Sequence, residues 1–263
     1  LGKLKIEIGA PRRDIDYSVQ PMGRGSFGGN MLIASSWRHR EEMKRIGRGN
    51  ADRRWDVLPQ QPALAYDIAQ NRLIVTAAML QAPVLDMAQD TNAQYGAFGA
   101  LVGHELTHGF DNSGRMVDAA ATVRDWWTPA DVAAWETRAG QLSTQYSAYP
   151  YPGLTASYVN GRQTRDENVA DLGGIELAWD ALNTAQPTLT DVAKQTFYQG
   201  WARLWPQQMS TDIATRLAAT DVHAPGQWRT NGPLANDPGF GTAFTCKVGT
   251  PMQRTVDQQV KLW

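Results

Sequence analysis

The chain has 263 residues, of which 42% are hydrophobic and 19% charged, and a formal net charge of −1. That length suits one large domain or two small ones, and that composition excludes a disordered chain. The near-zero charge offers no footprint for a nucleic acid or an anionic membrane, and no apolar run, "LIVTAAML" at 73–80 included, approaches the length of a membrane span.

The chain starts at Leu1 without a methionine or a basic-then-apolar leader, which reads as a processed protein or a fragment whose compartment these residues do not give. "KLKIEI" alternates as a short strand. The rest of the first sixty residues reads as irregular and turn-rich, with "GRGSFGG" and "GRGNADRR" as loops. Residues 23–28 spell G-x-G-x-x-G, but that dinucleotide fingerprint needs a buried strand before it and a helix after it. "DYSVQPM" precedes it, with a proline two residues before the first glycine, so the nucleotide reading is rejected.

From residue 61 the pattern sharpens. "ALAYDIA" and "NRLIVTAAM" read as two strands around a turn at Gln70 and Asn71. "TNAQYGAFGALVGHELTHGF" is apolar on most faces and predicts a buried helix of about five turns, ended by "DNSGR". Thr128, Pro129 and Asp131 open another helix. Further helices should carry "TRDENVADLGGIELAWDAL" and "TDVAKQTFYQGWARLW"; in the latter, Phe197, Trp201, Leu204 and Trp205 form an apolar stripe. From 221 onward the chain reads as mostly irregular until its last few residues. With no repeat and no linker, the expectation is one helix-rich α+β domain with a small sheet near its front edge. The lone Cys246 cannot form an internal disulfide, and either pairs outside this chain or stays free.

His104 and His108, four apart on a helix, present two imidazoles on one face. Neutral imidazoles suit zinc, and a catalytic zinc takes three protein ligands and leaves a position open. Glu105 is turned about 100° from His104, off the metal but within reach of a metal-activated water as general base. The competing reading, a helix with two satisfied core histidines, leaves an unpaired carboxylate in an apolar run. Glu167 and Asp171, again four apart, offer the third ligand and a carboxylate to orient a histidine ring. Asp166 lies off that face. His223, Asp221 and Arg229 share one irregular segment. His223, oriented by Asp221, suits an oxyanion donor, and the fork of Arg229 suits a substrate carbonyl or carboxylate.

"VGHELTHGFDNSGR", "WWTPAD", "ENVADLGGIELAW", "DVHAPGQWRTNGPLANDPGFGTAFTCKVGTPM" and the terminal tryptophan resemble, in order and over essentially the whole chain, the catalytic domain of the neprilysin and endothelin-converting-enzyme family of zinc metalloendopeptidases. The resemblance implies a thermolysin-like (gluzincin) domain over residues 1–263 with one Zn²⁺ on His104, His108 and Glu167. It gives Glu105 the role of general base, Asp171 that of orienting group, His223 that of oxyanion stabiliser, and Arg229 a substrate carbonyl. It also implies peptide substrates, a hydrophobic residue on the prime side of the cleaved bond, an extracytoplasmic location (periplasmic or secreted), and a helical N-terminal cap domain that these residues do not supply.

Three departures accompany it. The family's Asn-Ala pair on the edge strand, whose amide grips the peptide backbone, matches Ala63 and Leu64 here. A cysteine pair of animal members matches Gln141 and Val260. The cap that limits substrate size is not among these residues. The expected activity is endopeptidase cleavage by water, without a covalent intermediate. A zinc-binding scaffold module without turnover and a zinc exopeptidase compete with it, and other divalent ions also bind two imidazoles and a carboxylate.

Overall fold

The computed structural model describes residues 1–12, 16–47 and 55–263. Three strands form its sheet: β1 (Lys5–Gly9), β2 (Leu64–Asp67) and β3 (Arg72–Thr76), in the order β1-β3-β2. β1 runs parallel to β3 from Lys5↔Arg72 to Gly9↔Thr76, and β2 runs antiparallel to it from Leu64↔Val75 to Asp67↔Arg72. The turn expected at Gln70 and Asn71 is present, with Asn71 in the left-handed region at φ 46°, where asparagine is tolerated better than most residues. β3 is buried along its whole length, and β2 is left as an edge. In β1 the alternation has the opposite sense from an apolar-in strand. Ile6 and Ile8 face outward, and Glu7 turns inward to bind the buried Arg72 at 2.9 Å.

The irregular reading of the first sixty residues needs correction. Ser26 caps a helix, α1 (Phe27–Met43), by accepting from the N–H of Gly29 at 3.0 Å. Its glycine-rich first turn and mixed faces hide it from periodicity, and none of its residues is buried. "GRGSFGG" is therefore a helix start rather than a loop. A helix does follow the G-x-G-x-x-G, but residues 16–22 form no strand before it. Most of "GRGNADRR", residues 48–54, lies outside the described residues.

The five-turn helix is continuous but changes winding: α2 (Thr91–Gln94), a π turn (Tyr95–Gly99), α3 (Ala100–Thr107) and a 3₁₀ turn (His108–Phe110). α4 (Pro129–Ser147) starts with the expected capping box between Thr128 and Asp131. α5 (Arg165–Ala185) and α6 (Asp191–Ala202) follow as read. α7 (Thr211–Thr220) fills the interval before residue 221. Beyond it the tail holds two short helices where irregular chain is expected, α8 (Gly226–Leu234) and α9 (Pro238–Ala243). Their glycines and prolines are poor helix formers, so burial of Gly232, Pro233 and Leu234 in α8 sustains what propensity does not.

α5 is the central post. Val169 and Leu172 pack with Trp135, Leu142 and Tyr146 of α4 on one side. Ile175, Ala178 and Leu182 pack with Phe197 and Trp201 of α6 on the other, where Leu204 and Trp205 complete the stripe as partly buried members. Two glycines let α3 and α5 nearly touch. A Cβ on Gly103 would sit 2.7 Å from the carbonyl oxygen of Gly174, and one on Gly174 would sit 2.6 Å from the backbone nitrogen of His104. This close approach brings the two motif-bearing helices together.

Candidate metal centre

His104 projects from α3 into the gap it shares with α5, and its Nδ1–H donates to Asp171 Oδ1 at 2.8 Å. His108, one turn on, donates from Nδ1 to Asp111 Oδ2, also at 2.8 Å. Carboxylates on both Nδ1 atoms fix the tautomer in which each Nε2 carries a lone pair. Those Nε2 atoms lie 3.2 Å apart and approach Glu167 Oε2 at 3.2 and 3.4 Å. Ligand atoms of His104, His108 and Glu167 all fall within 4.8 Å of one another. Glu167 Oε2 is buried and, among the described residues, accepts no well-formed hydrogen bond despite its three imidazole neighbours. Lone pairs converging on an orphaned carboxylate oxygen form a donor set for a divalent cation, and two imidazoles with a carboxylate fit zinc.

The electrostatics agree with that fit. Burial opposes charge on His108, but Asp111 and Glu167 outweigh it and lift the ring to about 10. Burial would raise Glu167, yet His104, His108 and His223 hold it far below the usual carboxylate range. A pocket this rich in negative charge requires either protons or a metal ion.

Glu105 leaves α3 toward the sheet, where its Oε2 accepts the N–H of Tyr66 on β2 at 2.8 Å. Burial pushes its carboxyl up, against the pull of His104, His108 and that N–H. His223 faces the centre from the turn after α7, with Nε2 3.1 Å from Glu167 Oε2. Asp221 Oδ1 holds its Nδ1 at 3.0 Å and its backbone N–H at 2.9 Å.

Arg229 is held within the protein from α8. Its Nε and Nη2 donate to Asp171 at 2.9 and 2.7 Å, and its guanidinium lies 3.7 Å over the ring of Trp205. Nε and Nη2 of the fork are thus engaged in the protein, and Nη1 has no hydrogen bond among the described residues. Burial would raise Asp171, but Arg229 and His104 hold it low, so it stays an acceptor for the ring of His104. Asp166 pairs with Arg165 at 3.2 Å and stays off the centre.

Asp111 and the Tyr66 N–H escape the sequence reading. The signal for Asp111 was its place three residues after His108, a spacing that shares a face. The Tyr66 contact is a backbone group and leaves no signal. Ala63 spends its N–H and carbonyl on Thr76, and its methyl offers no hydrogen bond to a substrate. Val260 is buried against α4, whose Gln141 is exposed, so this pair of positions is apolar against polar.

Residues 65–260 match the model of peptidase family M13. An endothelin-converting enzyme homolog of Locusta migratoria is 33% identical over 233 residues, covering 85% of this chain. Neprilysin-3 of Drosophila melanogaster is 29% identical over 260 residues, covering 95% of it. The chain spans 32% of the length of each of these relatives. The crystal structure of the Mycobacterium tuberculosis zinc metalloprotease in complex with inhibitor superposes with a TM-score of 0.91 at 30% identity, over the whole of this chain and 41% of that one. With a fold, a metal-ligand geometry and a family match in agreement, the chain belongs to peptidase family M13.

Proposed function

We propose that residues 1–263 are the catalytic domain of a zinc-dependent endopeptidase acting on peptides, within a longer protein that supplies a cap domain. The observation that supports it most is the convergence of His104, His108 and Glu167 on one point beside Glu105. A bound zinc ion would supply Lewis acidity toward water and the scissile carbonyl. Glu105, its carboxyl raised by burial, takes the proton from the attacking water and delivers it to the leaving amine. His223, held by Asp221, donates to the oxygen on which negative charge develops. Asp171 and Asp111 keep the two ring lone pairs aimed inward. Nη1 of Arg229 is the group left to meet a substrate carbonyl. Among the described residues no helix is long and apolar enough to cross a membrane, and we place the protein outside the cytoplasm on family grounds alone.

Elemental analysis of the purified chain, with internally quenched peptides blocked at both ends, tests this reading. Chelator-sensitive cleavage that Glu105→Gln abolishes supports it. A second reading, a zinc-holding module without turnover, draws on the bare methyl of Ala63 where the family carries an amide. Stoichiometric zinc without cleavage, in this chain and in a cap-containing version alike, would favour it. Cleavage of unblocked peptides only would indicate an exopeptidase, for which the engaged fork of Arg229 is a poor carboxylate anchor.

A further inference from the structure

Beside the metal centre, on the His108 side, lies a cleft of about 400 Å³ bounded by Tyr66, Ile68, Glu167 and Val222. Five charged side chains line it. Asp111 is engaged by His108 and by the N–H groups of Ser113 and Gly114. Glu167 belongs to the centre. Asp166 and Arg165 neutralise each other at 3.2 Å, and Arg165 also holds Glu136 at 3.1 Å and covers the ring of Trp135 at 4.5 Å. Arg162 is exposed and has no ion pair among the described residues. Arg162 is thus the charged side chain of this wall left without a partner among the described residues, a forked donor shaped for a carboxylate.

We propose that Arg162 is a specificity-determining residue that draws acidic side chains into this cleft, on the amino-terminal side of the bond to be cut. The proposal rests on the peptidase reading. The side follows from the sheet. β2 is an edge strand, and the N–H of Tyr66 points away from β3 to Glu105, which marks where the attacked bond lies. A peptide added antiparallel to that edge runs opposite to β2. Its residues past Tyr66 toward Ile68, where the cleft opens, therefore precede the scissile bond.

The test uses the zinc-loaded Glu105→Gln chain, so that binding is read without turnover. Peptides blocked at both ends carry Glu, Gln or Lys at each of the three positions before the scissile bond in turn, and affinities are measured at low and high salt. At one of those positions Glu should bind about fivefold more tightly than Gln and Lys more weakly, in keeping with an exposed pair. Adding Arg162→Ala should erase the ranking, and Arg162→Glu should invert it. A ranking that survives both substitutions, one that favours Lys in the parent, or no binding by any peptide would overturn the proposal. The same peptides given to the chain with Glu105 intact separate the two ideas. Cleavage without a charge ranking sinks the role of Arg162 alone, and a charge ranking without cleavage sinks the peptidase reading.

Discussion

Two parts of the site are held in opposite ways. The α3–α5 pair positions its groups by helix packing, and His104 and Asp171 keep only 4% and 1% of their side-chain surface exposed. The turn after α7 positions His223 through one carboxylate, and that pair keeps 38% and 34% exposed. Metal ligands gain from rigidity, because a preformed donor set loses little freedom when the ion arrives. A group that answers charge developing on the substrate must sit where substrate enters, on a segment open to solvent. The two histidines, Glu167 and the carboxylates that orient the rings should therefore govern metal occupancy, and His223 on the turn should govern rate at constant occupancy.

Glu105→Gln gives the largest expected effect. A loss of about 10²–10⁴ in kcat follows from removing the proton acceptor, while zinc stoichiometry stays at that of the parent. A parallel loss of zinc would mean that Glu105, although carried on the same rigid helix, serves the donor set rather than the water. His223→Ala should lower kcat by about 10²–10³, again with zinc retained. Asp221→Asn should reproduce part of that loss, because the carboxylate acts only through the ring.

On the rigid side, Gly174→Ala has two opposed consequences. Alanine raises intrinsic helix propensity by about 1 kcal/mol, but its Cβ would lie 2.6 Å from the backbone nitrogen of His104. Overpacking of about 1–3 kcal/mol wins. The melting temperature should fall and zinc affinity should fall with it, since α3 and α5 separate. A stabilised variant would show that the helices can part without cost. Asp111→Asn should weaken zinc by about 10–100-fold in a metal-buffer titration, and leave the fold intact because Asp111 ties only a local turn. Asp171→Asn should cost more, since it also releases the fork of Arg229.

The same contrast explains what was legible in the sequence. His104, Glu105 and His108, like Glu167 and Asp171, are related by helical periodicity, a local property of the chain. That the two helices meet is a long-range fact, carried by Gly103 and Gly174, residues that are silent in a periodicity analysis. The sequence marks Arg229 as a forked donor but carries no sign of its attachment to Asp171, because the pair is separated by 58 positions and formed by packing. The helices α1, α8 and α9 stayed hidden because their glycines and prolines obscure helical periodicity. In β1, the alternation of "KLKIEI" fixed a strand but not which face turns inward, a choice made by Arg72 and Glu7.

The smallest effect concerns the far side of α5, away from the centre. Glu176 accepts the backbone N–H groups of Leu262 at 3.1 Å and Trp263 at 3.0 Å, and the ring of Trp263 meets Phe110, two residues beyond His108, at 5.9 Å. Burial pushes the Glu176 carboxyl up to about 7, with the two N–H groups and Lys261 pulling down and Asp237 pushing up. A carboxyl raised on folding binds its proton more tightly when folded. Its contribution is therefore fully present below the ordinary value of 4.5 and is lost as pH rises to about 7. Partial exposure limits the change to on the order of 1–2 kcal/mol. Denaturant melts of the parent and Glu176→Gln across that window isolate it, since every other titrating group is common to both. The stability difference, variant minus parent, should grow in favour of the glutamine as pH rises. A difference that stays flat would place an ordinary carboxylate at 176 and overturn the shift that burial imposes.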